Sequence, residues 1–217
     1  MSNKQAVGAA FDLARMRRAS ERAWEGVSLM RERFRPGLRE TQANAMADEI
    51  LRDLGADRLW HPTHVRFGAN TTKTFRQASD GDPVLGEDDI YFIDIGPVFD
   101  GHEGDVGATF VTGDDVEMAQ CAAAAKTLFD DVSAAWRAQR LAGPGLYAFA
   151  AGRALEIGWK LNLDIKGHRV SDFPHAVHRG GNLGDFDGTP APGVWILEIQ
   201  IAHPARPFGA FHEDLLV

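Results

Sequence analysis

Two aspartates, two glutamates and two histidines stand where their surroundings could turn them to chemistry: Asp94, Asp105, Glu198, Glu213, His168 and His175. Asp94 interrupts the apolar run "YFIDIG", and Asp105 follows with ten residues between them. Glu198 sits in "VWILEIQI", where Gln200 is the only other polar residue. Glu213 lies in "AFHEDLLV", a short strand-like run that on its own reads equally as a wet chain end. A carboxylate inside an apolar strand must be paired, protonated or bound to a cation, because desolvating it otherwise costs several kcal/mol.

The stretch 90–111 reads as a β-hairpin turning at Asp100-Gly101, a favoured turn pair. If its loop is Phe99-Asp100, residue 105 lies directly opposite 94. If it is Asp100-Gly101, residue 105 is the diagonal neighbour of the residue opposite 94. Either register puts both aspartates on one face within a few ångströms, and a three-residue loop would separate them. Like charges that close need a proton or a cation between them. Four carboxylates and one imidazole balance two divalent cations, and oxygen-rich sites with an imidazole suit Mn, Fe, Co or Zn. That stoichiometry fits a hydrolytic site of two ions about 3.5–4 Å apart.

The elements that must position these groups follow from periodicity. Apolar residues recur at helical spacing over 5–34, stopped by Arg35-Pro36-Gly37, and again over 40–56, with Gly55 as the stop. Residues 63–72 read as strand, 76–89 as turn-rich loop, and 114–141 and 145–160 as helices broken by "AGPG" at 142–145. From 166 onward the chain reads as strand and loop. No composition shift marks a linker, so the expectation is one α+β domain over 1–217. A net charge of −8 argues against nucleic acid as a partner. Single Cys121 excludes an internal disulfide or a thiolate cluster. The absence of a signal-like or membrane-spanning apolar run points to a cytoplasmic protein without membrane contact. His102, His178, His203 and His212 read as surface or loop histidines.

In this order and spacing the residues resemble the pita-bread metallopeptidases, the superfamily of methionine aminopeptidase, aminopeptidase P, prolidase and creatinase. "IDIGPVFDGHEGDVGATF" resembles the signature hairpin, "GHRVSDFPH" the Gly-His segment, "PGVWILE" the approach to the first glutamate, and "GAFHEDLLV" the closing segment. The resemblance implies a pita-bread fold, an antiparallel curved sheet covered by helices, present as the catalytic domain without the extra N-terminal domain of prolidases. It implies a metal set of Asp94, Asp105, His168, Glu198 and Glu213 holding two divalent ions (Mn, Co, Fe or Zn). Asp105 and Glu213 bridge the ions, Glu198 shuttles protons beside a bridging hydroxide, and His175 donates to the developing oxyanion.

The implied activity is an aminopeptidase or dipeptidase of the Xaa-Pro or methionyl type, acting on small peptides and compatible with a homodimer. Departures from the family pattern leave two alternatives. "DVGAT" replaces Asp-x-Thr-Arg-Thr, Ala176 follows His175 where glutamate is frequent, and Phe211 stands where prolidase-like members have arginine. "NTTKTFRQASDGD" lacks the histidine the peptidases carry before the hairpin, leaving Arg76 or Lys73 nearest unless His61 or His64 folds into the site. These favour a small-molecule enzyme on the same fold, a creatinase-like C–N hydrolase or a lyase. An inactive binding protein is the remaining alternative.

Overall fold

A computed structural model describes residues 4–172 and 181–217. Along the chain lie α1 (Leu13–Arg33), α2 (Glu40–Asp53), β1 (Arg58–Leu59), β2 (His64–Phe67), β3 (Asp89–Ile95), β4 (Pro97–Phe99), β5 (His102–Glu103) and β6 (Val106–Thr112). They are followed by α3 (Val116–Gln139), α4 (Gly143–Glu156), β7 (Lys160–Leu161), β8 (His168–Arg169), β9 (Trp195–Ala202) and β10 (Gly209–Leu215). Among the described residues no helix is long and apolar enough to cross a membrane.

The helix expected from residue 5 begins only at Leu13. Asp12 has extended backbone and its side chain accepts the Arg15 N–H, so the cap fixes the start. The Asp12 N–H is in turn held by His102 Nε2 at 3.1 Å, and that histidine is buried rather than on the surface. The "AGPG" break also proves to be part of a helix. Gly143 and Pro144 form the first turn of α4, where a missing N–H is harmless and proline's φ is already helical. That helix ends at Glu156 rather than at residue 160.

The hairpin follows the second of the two expected registers. Asp100 and Gly101 both have positive φ, 49° and 70°, as a two-residue type I′ turn demands. Phe99 therefore pairs with His102, and Asp94 pairs with Gly107, with Asp105 on the diagonal. The hairpin does not stay in one sheet, however. Its outer end, β4 and β5, joins β1 in a three-stranded sheet, whereas β3 and β6 belong to the large sheet. The large sheet runs β2-β3-β6-β10-β9-β7, with β8 also on β9, and the pairings are antiparallel.

Helices cover one face of this sheet. Leu128 and Val132 of α3 and Leu146 of α4 bury Leu197, Ile199 and Ile201 of β9. Val27 and Met30 of α1 and Ile50 and Leu51 of α2 bury Tyr91, Ile93 and Ile95 of β3. Side chains alternate along a strand, so the residues between these, Asp94 and Glu198 among them, face the other side.

One buried carboxylate shapes that other side from a distance. Glu40 in the first turn of α2 accepts the Phe67 N–H at 2.7 Å, the Asn70 amide at 3.1 Å and the Ser79 hydroxyl. Ser79 also holds Arg66 at 2.7 Å, and Arg66 reaches the Gln77 carbonyl at 2.6 Å. Glu40 thus pins both ends of the loop that carries Phe75 and Arg76. Removing it strands buried donors at about 1–3 kcal/mol each. Glu40→Ala is expected to lower the unfolding free energy by about 3 kcal/mol in urea titration; a change below about 1 kcal/mol would show that the loop is held otherwise.

Candidate metal centre

Four neighbouring strands bring the carboxylates into a row. Asp94 on β3 pairs with Gly107 on β6, Gly107 with Glu213 on β10, and Glu213 with Glu198 on β9. Glycine at 107 leaves room for the Phe211 ring and the Glu213 carboxylate, which a Cβ there would meet at 2.6 and 3.1 Å. Asp105 lies two residues before Gly107, and His168 pairs with Ile196, two residues before Glu198. The second tier of the site is therefore Asp105 and His168, whose Nε2 is 3.0 Å from Asp105 Oδ2. All five expected ligands converge. Asp105, Glu198 and Glu213 are buried, and they form the floor of a cavity of about 560 Å³.

Local sequence explains how β8 delivers its imidazole. Gly167 has φ +64°, and a Cβ there would sit 2.3 Å from the Ile196 carbonyl oxygen. Only glycine lets the chain run that close to β9, and its N–H then donates to Glu198 Oε2 at 2.8 Å. Tyr147 of α4 supports the same residue from behind, donating its hydroxyl to the Glu198 carbonyl at 2.9 Å.

The electrostatics show what the row lacks. Burial raises the Glu213 carboxyl well above the usual carboxylate range, and Asp105, Asp94 and Glu198 push it the same way. Glu198 is raised by burial too, with Asp105 and Asp94 adding to it against His168. Burial disfavours the His168 cation, yet Asp105 and Glu198 carry it up to about 10. Asp105, despite burial, is held low by His168 and His61. The centre thus favours positive charge among its carboxylates.

Among the described residues, Glu213 Oε1 is buried with no hydrogen-bond partner. Asp105, His168 and Glu213 each present a ligand atom within 4.8 Å of the others. An orphaned carboxylate oxygen inside a cluster of oxygen donors and imidazole is the donor chemistry of a divalent cation. The residues fit the metal that the sequence implied.

Sequence reasoning left one member of this site open. His61, just past β1, places Nε2 3.4 Å from Asp105 Oδ1 and 3.6 Å from Asp94 Oδ1. Against the penalty of burial those two aspartates raise it to about 9. His64 is opposite Asp94 on β2, lines the cavity and stacks on His61 at 6.2 Å. Arg76 also lines the cavity, whereas Lys73 is engaged with Asp80 at 2.9 Å. Phe211, the replacement for arginine, is buried against Phe92 with ring centroids 5.3 Å apart. Thr109 spends its hydroxyl on the Phe211 main chain, closing β6 onto β10. His175 and Ala176 lie outside the described residues.

The sequence profile of metallopeptidase family M24 matches residues 14–217. The chain belongs to metallopeptidase family M24. Solved structures agree in fold: the prolidase from Pyrococcus furiosus superposes with a TM-score of 0.79 at 18% identity, covering 98% of this chain and 62% of that one. The X-Pro aminopeptidase from Thermotoga maritima gives 0.76 at 19%, covering 92% and 56%. The methionine aminopeptidase from the same organism gives 0.72 at 14%, covering 94% and 91%. The fold is pita-bread, as the hairpin and closing segment implied. This chain spans less than two thirds of the length of that prolidase and of that X-Pro aminopeptidase. A search of curated proteins by sequence finds no match.

A cation entering this centre must displace protons. His168, raised to about 10, holds a proton near neutral pH without the metal, and the Glu198 and Glu213 carboxyls are raised by burial and by their neighbouring carboxylates. Apparent metal affinity should therefore rise with pH up to about 10, with net proton release on binding. Calorimetric titration of chelator-treated protein with Mn(II) in buffers of different ionisation enthalpy measures this. Affinity independent of pH between 6 and 9, with no proton release, would contradict a centre charged in this way.

Proposed function

We propose that the chain is a metal-dependent peptidase that removes an N-terminal residue from small peptides, with Xaa-Pro bonds as its first substrate class. The observation that carries this reading is the row Asp94–Gly107–Glu213–Glu198, backed by Asp105 and His168, at the floor of the cavity. Asp94, Asp105, His168, Glu198 and Glu213 would hold two divalent ions. Such ions, when bound, lower the pKa of water toward neutrality and polarise a carbonyl.

The chain's own residues do the rest. Glu198, raised in pKa and anchored through Oε2 by the Gly167 N–H, is the group positioned to take a proton from water and return it to the leaving amine. His175 is the proposed donor to the developing oxyanion. Arg76 lines the cavity as a cation, a placement that suits the carboxylate end of a short peptide, whereas Lys166 is engaged by Asp185 at 2.6 Å. The buried thiol of Cys121, with no partner cysteine in the chain, suits a reducing compartment such as the cytoplasm.

Phe211 favours a second reading. The resemblance implies an arginine at this position in prolidase-like members, and here the ring is buried instead, so a small-molecule C–N hydrolase of the creatinase kind on this fold is the alternative. A panel of Xaa-Pro dipeptides and guanidino and amide compounds, assayed after Mn or Co loading, separates them. Xaa-Pro turnover supports the peptidase, and turnover only of the other compounds supports the alternative. Asp105→Asn should lose both metal and at least about 100-fold of whichever activity is found; unchanged activity would refute the centre.

A further inference from the structure

We infer that His61 is a sixth protein ligand of the metal centre, completing the coordination of the ion held by Asp94 and Asp105. The inference rests on the metal-centre reading above and extends it to a residue outside the five-ligand set.

The geometry is that of a donor rather than of a bystander. His61 Nε2 stands 3.4 Å from Asp105 Oδ1 and 3.6 Å from Asp94 Oδ1. Two donor atoms each about 2.1 Å from one ion lie about 3.0 Å apart in an octahedral site and about 3.4 Å in a tetrahedral one. The three side chains present their ligand atoms within 4.8 Å of one another, a second cluster beside that of Asp105, His168 and Glu213. Asp105 belongs to both. Its Oδ1 faces His61 and its Oδ2 faces His168, so each oxygen of the shared carboxylate has its own imidazole.

The two imidazoles are prepared in the same way. His61 Nδ1 is 2.7 Å from the Pro62 carbonyl, and His168 Nδ1 is 3.0 Å from the Arg169 carbonyl. A proton held on Nδ1 by the next residue's carbonyl leaves the Nε2 lone pair for a cation, the arrangement that orients ligating histidines. Trp60 sets both rings, meeting His61 edge-on at 4.3 Å and His168 at 5.3 Å, while its Nε1 donates to the Gly104 carbonyl at 3.1 Å.

The backbone makes room for this histidine. Gly96 follows β3 immediately below the ring, and a Cβ there would lie 2.1 Å from His61 Cδ2 and 2.3 Å from Nε2. Any larger residue at 96 would expel the imidazole. A surface histidine would make no such demand on the strand beneath it.

The test uses the full chain loaded with Co(II), without substrate. A histidine bound to Co(II) through Nε2 gives a contact-shifted, solvent-exchangeable Nδ1–H proton resonance, assignable by 15N-histidine labelling. Two such resonances are expected in the wild type, with one lost in His61→Ala and the same one lost in Gly96→Ala. Calorimetry should show one of the two Co(II) ions weakened by more than about 10-fold in His61→Ala and the other retained. One resonance in the wild type, with two Co(II) bound, would overturn the His61 assignment and leave the metal centre standing. Failure of the wild type to bind Co(II) would overturn both. The wild-type count decides even if neither variant folds.

Discussion

Everything in this fold is arranged around the mutual repulsion of four carboxylates. Asp94, Asp105, Glu198 and Glu213 meet at the buried floor of one cavity, three of them within a single row across the sheet. Two unit charges 4 Å apart interact by about 4 kcal/mol at an effective dielectric constant of 20. A sheet carrying that load folds only if counter-charge comes with it. Protonated His168 and His61, raised to about 10 and about 9, supply part of it, and burial together with the neighbouring carboxylates raises Glu198 and Glu213, while the imidazoles hold Asp105 low. Divalent cations supply it better, because they replace several protons with charge concentrated between the oxygens. Metal affinity and fold stability are therefore one quantity seen from two sides.

The rigidity needed to hold like charges together comes from the far face of the same strands. Leu197, Ile199 and Ile201 alternate with Glu198 and Gln200, so packing β9 onto α3 and α4 fixes the glutamate's direction as well as its depth. Gln200 adds a lateral tie, its amide donating to the Thr71 and Lys73 carbonyls at 3.2 and 2.9 Å. The loop after β2 is thereby bound both to the ligand strand and, through Glu40, to α2. The rim of the cavity and its floor are parts of one hydrogen-bonded frame.

Much of this was legible because the sequence breaks its own local rules at the site. Carboxylates inside "YFIDIG" and "VWILEIQI" are intelligible only as ligands or ion pairs, and period-two alternation placed Asp94 and Asp105 together before the turn register was known. Where local signals competed, they misled. The apolar spacing of residues 5–12 mimicked helix, but the Asp12 cap overrode it; Gly143-Pro144 looked like a break and was a helix start. His61 was the hardest to place. It sits in an irregular stretch between β1 and β2, and its position follows from Trp60 packing over Gly96, a contact between segments 36 residues apart that no periodicity encodes. Its one local sign was the glycine ending β3, which could be read as a turn residue as easily as a cradle.

The last strand shows how narrowly the arrangement is specified. Glu213 lines the cavity and Phe211 packs with Phe92 and Ile165 on the same side of the sheet, whereas His212 and Asp214 face the helices. His212 stacks on Trp24 at 5.6 Å and meets Phe129 edge-on at 4.8 Å, and Asp214 accepts from Ser20 at 2.8 Å and Trp24 at 2.9 Å. Burial holds the His212 imidazole down to about 4, neutral between its aromatic neighbours. Both faces of β10 are therefore polar, and hydrophobic patterning alone cannot choose its register. What chooses it is complementarity on each side: carboxylate toward the cation site, neutral imidazole toward the rings, aspartate toward the α1 donors. A slip of one residue would set His212 and Asp214 against the other carboxylates of the row and turn Glu213 toward the aromatic rings of the helical layer. The polar pairs on the helical face are thus what keep Glu213 in the row.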